Sequence, residues 1–105
     1  MAKSKKENFK SDEIILADVS KALSHPARIK ILQILSEYNA CFCGEIVDLL
    51  PLSQATVSQH LRELKRVGLI KGEIEGPKTC YCLNKDLLEK AASQLTKFLN
   101  NVCKS

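Results

Sequence analysis

The chain has 105 residues, 45% of them hydrophobic, which suits one domain with a small core. Sixteen Lys and Arg against twelve Asp and Glu leave a net charge of +4, so the placement of the positive charges matters more than their total. No apolar run approaches the length of a membrane span, and the basic start lacks a following apolar h-region, so no membrane partner and no signal peptide are expected and the protein reads as cytoplasmic.

Five cysteines in such a chain are expected to be reduced at rest. The odd count argues against a fully paired disulfide framework, and thiols at this frequency point to metal or redox chemistry.

Residues 1–10, with Lys3, Lys5, Lys6 and Lys10, read as a flexible basic tail, and 11–103 as the folded domain. A first helix is expected from about Ser11 to Leu23, with Ile14, Ile15, Val19, Ala22 and Leu23 apolar. In the following SHPARIKILQIL, Pro26 fits the first helical position, where a missing amide costs nothing, and Ser24 or His25 must supply the cap. Ile31, Leu32 and Leu35 make the buried face of this second helix, with Ile29 and Ile34 beside it, and it ends near Tyr38-Asn39. Cys41–Cys43 suits a short strand, and Gly44–Leu50 a short helix that Pro51 terminates by forcing its predecessor out of helical space.

Three residues, Pro51-Leu52-Ser53, then lead into SQATVSQHLRELKRVG. Here Val57, Leu61 and Leu64 form a seam spaced i, i+4, i+7, Ser53 is placed to cap and Gly68 to stop the helix. Gln54, Thr56, Ser58, Gln59, Arg62 and Lys65 lie around that seam. Helix, three-residue turn and polar-faced helix is helix-turn-helix spacing, and amides, hydroxyls and a guanidinium near a helix start are what major-groove reading requires. His60, beside the seam, suits a packing role with one nitrogen satisfied rather than base contact.

Beyond Gly68, Ile70 and Ile74 suggest a strand, Glu75-Gly76-Pro77-Lys78 a turn, and Thr79–Leu83 a second strand. A hairpin directly behind a recognition helix is a wing. From Lys85 to about Asn101 a last helix carries Leu87, Leu88, Ala91, Ala92, Leu95, Phe98, Leu99 and Val102, an apolar stripe that needs a partner surface. The fold class expected is mainly α with a small β-wing: a winged helix-turn-helix of about five helices and a β-hairpin, homodimeric through its first and last helices.

Three blocks, KALSHPARIKILQIL, CGEIVDLLPLSQATVSQHLRELKRVGLI and EGPKTCYCL, together resemble the ArsR/SmtB family of bacterial winged-helix repressors over roughly Leu16 to Leu99. The resemblance implies a homodimer that binds a palindromic double-stranded operator and is released by a metal ion, arsenite or thiol oxidation. It places base contacts in the first two turns of the recognition helix, here Gln54, Ser58 and Gln59, with Ser53 and Thr56 at its start. Arg62, Lys65 and the wing residue Lys78 are assigned to phosphates.

The family also uses a C-x-C just before the recognition motif as an inducer site, which Cys41 and Cys43 match. Cys80 and Cys82 form a second C-x-C, and residues i and i+2 of a strand share a face. If the strand before the motif pairs with the one after the wing, CFC lies beside TCYC and four thiols converge; which face each pair takes is open. Such soft ligands favour As(III), Cd(II), Zn(II) or Cu(I), as an inducer rather than an obligatory cofactor. The family's cadmium and lead sensors add thiols from the N-terminal segment, where this chain has none. Its zinc and nickel sensors use His and Asp or Glu on the last helix, where this chain has Asp86 and Glu89 but no histidine, so that site is not expected here. Cys103 near the chain end lacks the second-helix partner thiol of the family's redox sensors, where Gln33 or Ile34 stands, and is read as incidental.

Three other readings stay open for the four cysteines: small buried apolar residues, a redox or sulfide-responsive thiol switch on the same repressor, and a structural zinc site in a winged-helix module that binds protein or RNA. An enzyme is not expected. There is no thioredoxin-like βαβ pattern, no activating base beside a cysteine, no Ser-His-Asp set, no phosphate loop and no paired catalytic carboxylates.

Overall fold

In the computed structural model, residues 8–73 and 79–104 are described. The first helix, α1 (Ser11–Ala22), begins where the Glu13 carboxylate accepts from the Lys10 amide at 3.0 Å, with Asp12 and Glu13 complementing the positive end of the helix dipole. Val19 and Ala22 are its buried residues. The second helix, α2 (Pro26–Glu37), is capped by His25, whose Nδ1 accepts from the Ala27 amide at 3.0 Å. Its buried side chains are Ala27, Ile31, Ile34 and Leu35. Ile29, expected beside the buried face, is 45% exposed. Asn39 and Ala40 then take positive φ (59° and 76°), which turns the chain sharply, and the Ala40 amide donates to the Leu35 carbonyl at 2.8 Å.

That turn delivers β1 (Cys41–Cys43). The short helix expected over Gly44–Leu50 is instead one 3-10 turn, Ile46–Leu49. Gly44 sits at φ +123°, Glu45 is extended, and Leu50 is extended ahead of Pro51, so only four residues remain, too few to nucleate an α-helix. The helix after the turn, α3 (Gln54–Arg66), is followed by β2 (Ile70–Glu73), β3 (Cys80–Leu83) and α4 (Lys85–Cys103). Four α-helices and a small sheet therefore make up the described chain. The first seven residues of the expected basic tail, together with Ile74 and the Glu75–Lys78 wing turn, lie outside the described residues.

The sheet order is β1-β3-β2, antiparallel throughout. In it Cys41 pairs with Cys82, Phe42 with Tyr81 and Cys43 with Cys80, while Gly72 of β2 lies opposite Tyr81. Gly72 has φ +123°, and a Cβ there would strike the Cys80 carbonyl and come within 2.8 Å of the Tyr81 Cα. Only glycine lets β2 approach this closely.

Ile31 and Leu35 of α2, Ile46, Leu64 of α3, Leu69, Ile70 and Tyr81 are the largest fully buried side chains. This core holds the back of α3 against α2 and the sheet. Asn84 locks the two ends of the motif: its Nδ2 donates to the Gly68 carbonyl at 2.9 Å, and its Oδ1 accepts from the Leu87 amide at 3.3 Å to cap α4.

The α4 stripe is covered only in part. Ala91 is buried and Leu87 and Leu88 pack on the core, whereas Leu95, Phe98, Leu99 and Val102 are 37–52% exposed. Among the described residues no helix is long and apolar enough to cross a membrane.

Candidate nucleic-acid interface and cysteine ladder

The polar face of α3 is built from its cap outward. The Ser53 hydroxyl accepts from the Thr56 amide at 3.3 Å and donates to the Thr56 hydroxyl at 3.0 Å, so these two residues fix the helix start. Val57, His60, Leu61 and Leu64 are buried, as the seam requires. The same periodicity leaves Gln54, Gln59, Arg62 and Lys65 exposed and Ser58 and Thr56 half-buried. Lys78 lies outside the described residues. Of the cations on the outer face, Arg66 is held by Glu63, its Nε donating to the carboxylate at 2.9 Å. That bond holds the Glu63 carboxyl below its ordinary range.

His60 anchors the helix from behind. It is 7% exposed, and its Nδ1 accepts from the Arg28 Nε at 3.1 Å. Its ring lies 4.5 Å from that of His25. Arg28 also reaches the Lys21 and Ala22 carbonyls at 3.4 Å, so one guanidinium joins the end of α1, the start of α2 and the back of α3. Burial, then His25, then Arg28 push the His60 pKa below its ordinary value. Arg28 carries no sequence signal of its own: PARIK reads as a helix start, and its partner is 32 residues away.

The four cysteines meet on the β1–β3 ladder. Around it, the Leu83 amide donates to Ala40 at 2.7 Å and the Gly44 amide to Thr79 at 3.0 Å. Antiparallel alternation then puts Cys41/Cys82 and Cys43/Cys80 at the non-hydrogen-bonded positions, where facing side chains come closest. All four share one face, and Phe42 and Tyr81 take the other, Tyr81 being 1% exposed. The face left open by the sequence is thus the outer one for both pairs: Cys41, Cys43 and Cys80 are exposed and Cys82 half-buried.

Where composition pointed to free thiols, the structure joins Cys41 to Cys82 and Cys43 to Cys80, each with Cα atoms 4.0 Å apart. In this state no group of three or more His, Cys, Asp or Glu among the described residues forms a metal-ligand set. Reduced, the same four positions offer only soft sulfur donors, a set that suits a thiophilic ion. Cys103, the last residue of α4, is a free and exposed thiol.

Between the ladder and α3 lies a small cavity of about 150 Å³, lined by Gly44, Ile46, Gln54, Ser58, Thr79 and Tyr81 among others. The Thr79 hydroxyl donates to the Gly44 carbonyl at 2.7 Å, closing this end of the ladder. Tyr81 faces the Ile46 backbone; burial, then the Glu45 carboxylate, drive its phenol up to about 12 against the pull of that backbone contact. In the sequence, the strict alternation C-Y-C already assigns Tyr81 to the face opposite the thiols.

A family model described as a helix-turn-helix domain matches residues 23–73. The chain is 39% identical over 94 residues to a cadmium resistance transcriptional regulatory protein CadC homolog of Staphylococcus aureus, covering 85% of this chain and 77% of that one. It is 34% identical over 73 residues to the transcriptional repressor PagR of Bacillus anthracis, with 70% and 73% covered. The HTH-type transcriptional repressor SmtB of Mycobacterium tuberculosis is 41% identical over 66 residues, 63% of this chain and 48% of that one. Among solved structures, an ArsR-like transcriptional regulator from Rhodococcus sp. RHA1 superposes with a TM-score of 0.69 at 25% identity, covering 88% of this chain and 86% of that one. These relatives are named as regulators, which sets the chain apart from enzymes.

Proposed function

The chain belongs to the ArsR/SmtB family of winged-helix transcriptional regulators, and from that premise we propose that it is a cytoplasmic, homodimeric repressor released from its operator by a thiol-binding inducer at Cys41, Cys43, Cys80 and Cys82. The observation that carries this reading is the register Cys41–Cys82 and Cys43–Cys80, which gathers four sulfur atoms on one face directly before the helix-turn-helix.

Gln54, Ser58 and Gln59 serve as the base-reading set, since glutamine pairs bidentately with adenine and serine accepts either base type. Arg62, Lys65 and Lys78 serve phosphates, which position the dimer without specifying sequence. The exposed Leu95, Phe98, Leu99 and Val102 of α4, beside α1, support a two-fold interface between copies.

An As(III), Cd(II), Zn(II) or Cu(I) inducer supplies one thing when bound, a demand for short bonds to several thiolates. Holding one ion would require the two thiolates of each C-x-C, which stand two positions apart along a strand, to come nearer to each other than a flat ladder leaves them. Bringing them together would bend β1 and β3 along their length, and β1 is the strand that leads into the turn. The relative named for cadmium resistance supports a soft ion of this kind.

The test is to titrate reduced protein with arsenite, Cd(II) and Zn(II), following thiolate charge-transfer absorption together with operator binding by fluorescence anisotropy. Absorption and operator release that rise together, and are both lost in Cys41→Ser/Cys43→Ser, are the expected result. Bound metal with no loss of operator affinity overturns it. Unfolding of the protein by a chelator points instead to a structural zinc site.

A second reading is favoured by the pairing itself. Each directly opposed pair needs only to lose two electrons and two protons to a peroxide, which becomes water, to form one S–S bond. Operator release by peroxide or polysulfide but by none of the three metals selects this redox reading.

A further inference from the structure

Resting on the reading that the cysteine ladder controls operator binding, we propose that Tyr81 is the positioning residue that carries the state of the ladder to Gln54 and Ser58, with Thr79 as its accessory. Tyr81 stands between Cys80 and Cys82 on β3, so any change in the spacing of the sulfur pairs moves its backbone directly. Its side chain leaves by the other face and is 1% exposed. It lines the cavity that Gln54, Val57, Ser58 and Leu61 of α3 line from the opposite side.

The surroundings make Tyr81 a lever rather than filler. Behind it, Gly72 brings the β2 backbone so close that not even a methyl group fits, so the β3 backbone at Tyr81 has no room to yield in that direction. Ahead of it, the phenol meets the Ile46 backbone at the start of the 3-10 turn. At its flank, the reciprocal Gly44–Thr79 bonds of 3.0 and 2.7 Å tie the ladder end to the same turn. The 3-10 turn leads through Pro51 and Leu52 to the Ser53 cap. A shift of the ladder therefore arrives at the first turns of α3, where the base-reading side chains sit.

The displacement runs through the 3-10 turn rather than across the cavity, because packed elements do not deform continuously. Tyr81→Phe keeps the ring and removes the polar tip; Thr79→Val keeps the shape and removes the Gly44 bond. Full-length reduced parent, Tyr81→Phe and Thr79→Val are compared for operator binding with and without Cd(II), and for Cd(II) binding by charge-transfer absorption. For the parent, Cd(II) is expected to weaken operator binding about 5–150-fold, the usual range for coupling between two sites.

In both variants Cd(II) affinity and metal-free operator affinity are expected to stay within about threefold of the parent, while the metal-dependent ratio falls toward one. A purely structural role would shift the metal-free affinity or stability and leave that ratio intact. A responsive parent with equally responsive variants overturns the role of Tyr81 while leaving the inducer site standing. A parent that does not respond to Cd(II) overturns the inducer reading, and this inference with it.

Discussion

Arg28 and His60 lie 32 residues apart and meet behind the recognition helix, the guanidinium Nε donating at 3.1 Å to an imidazole nitrogen that is free to accept only when unprotonated. A proton on that nitrogen would replace an acceptor with a donor facing a cation. Burial, His25 and Arg28, in that order, hold the native His60 pKa below 6.5. The unfolded chain therefore binds the proton first as pH falls. The stabilisation is complete above about pH 6.5 and is lost as pH falls through the lowered native value. Urea midpoints at pH 7.5 and 5.5 should drop for the parent and drop less for His60→Gln, which keeps an acceptor for Arg28. Equal drops would remove His60 as the cause.

In the proposed interface, Gln54 serves specificity and Lys65 affinity, both from the exposed face of α3. Gln54→Ala should cost about 1–3 kcal/mol on the true operator and little on unrelated duplex. Lys65→Ala should weaken both alike and flatten the logarithmic salt dependence by about one unit. Anisotropy titrations at several salt concentrations distinguish the two; an unchanged operator affinity in Gln54→Ala would shift the docking register.

Pairing on the ladder is equally checkable. Chymotrypsin, cutting after Phe42 and Tyr81, separates the two cysteines of each C-x-C. Non-reducing peptide maps of oxidised protein should contain Cys41–Cys82 and Cys43–Cys80 and neither Cys41–Cys43 nor Cys80–Cys82, because the bridges follow the strand register.

Ala40 holds φ 76°, a conformation that costs an L-residue about 1–2 kcal/mol and glycine almost nothing. Against that, glycine loosens the unfolded chain by about 0.4–1 kcal/mol. Ala40→Gly should therefore raise thermal stability, by up to about 1.6 kcal/mol. A lower melting temperature would mean that the Ala40 methyl makes a contact worth more than the strain.

The uncovered end of α4 gives a test of assembly. Phe98 is 49% exposed within one chain, and Phe98→Glu should shift sedimentation at micromolar concentration from dimer to monomer. A parent that already sediments as a monomer would remove the two-fold interface.

Much of this architecture is legible before any coordinates, and the reasons are local. Ser53, Val57, Leu61, Leu64 and Gly68 specify α3 by cap, period and stop, and the structure buries that seam. Pro26 announces α2 and narrows its cap to Ser24 or His25, of which the structure uses His25. The two thiols of each C-x-C share a face because they alternate with Phe42 or Tyr81, whereas the common face of both pairs comes from the register Cys41–Cys82 and Cys43–Cys80. Other features are set by tertiary context. Ile29 has the composition of a core residue, yet its place on α2 turns it outward. The helical pattern of Gly44–Leu50 collapses to a 3-10 turn because both flanks are pinned, one by the ladder and one by Pro51. Arg28–His60 and Gly44–Thr79 join residues 32 and 35 positions apart, beyond the reach of periodicity.

The two bridges also have a topological consequence. They span 41 and 37 positions and lie side by side, so the turn, α3, β2 and the wing form a lariat tied at one neck. A protease that nicks this lariat once leaves both fragments joined through sulfur, and they part only when a reductant is added. Once nicked, the part of the chain before the cut would stay fastened to the part after it covalently by these two bridges alone.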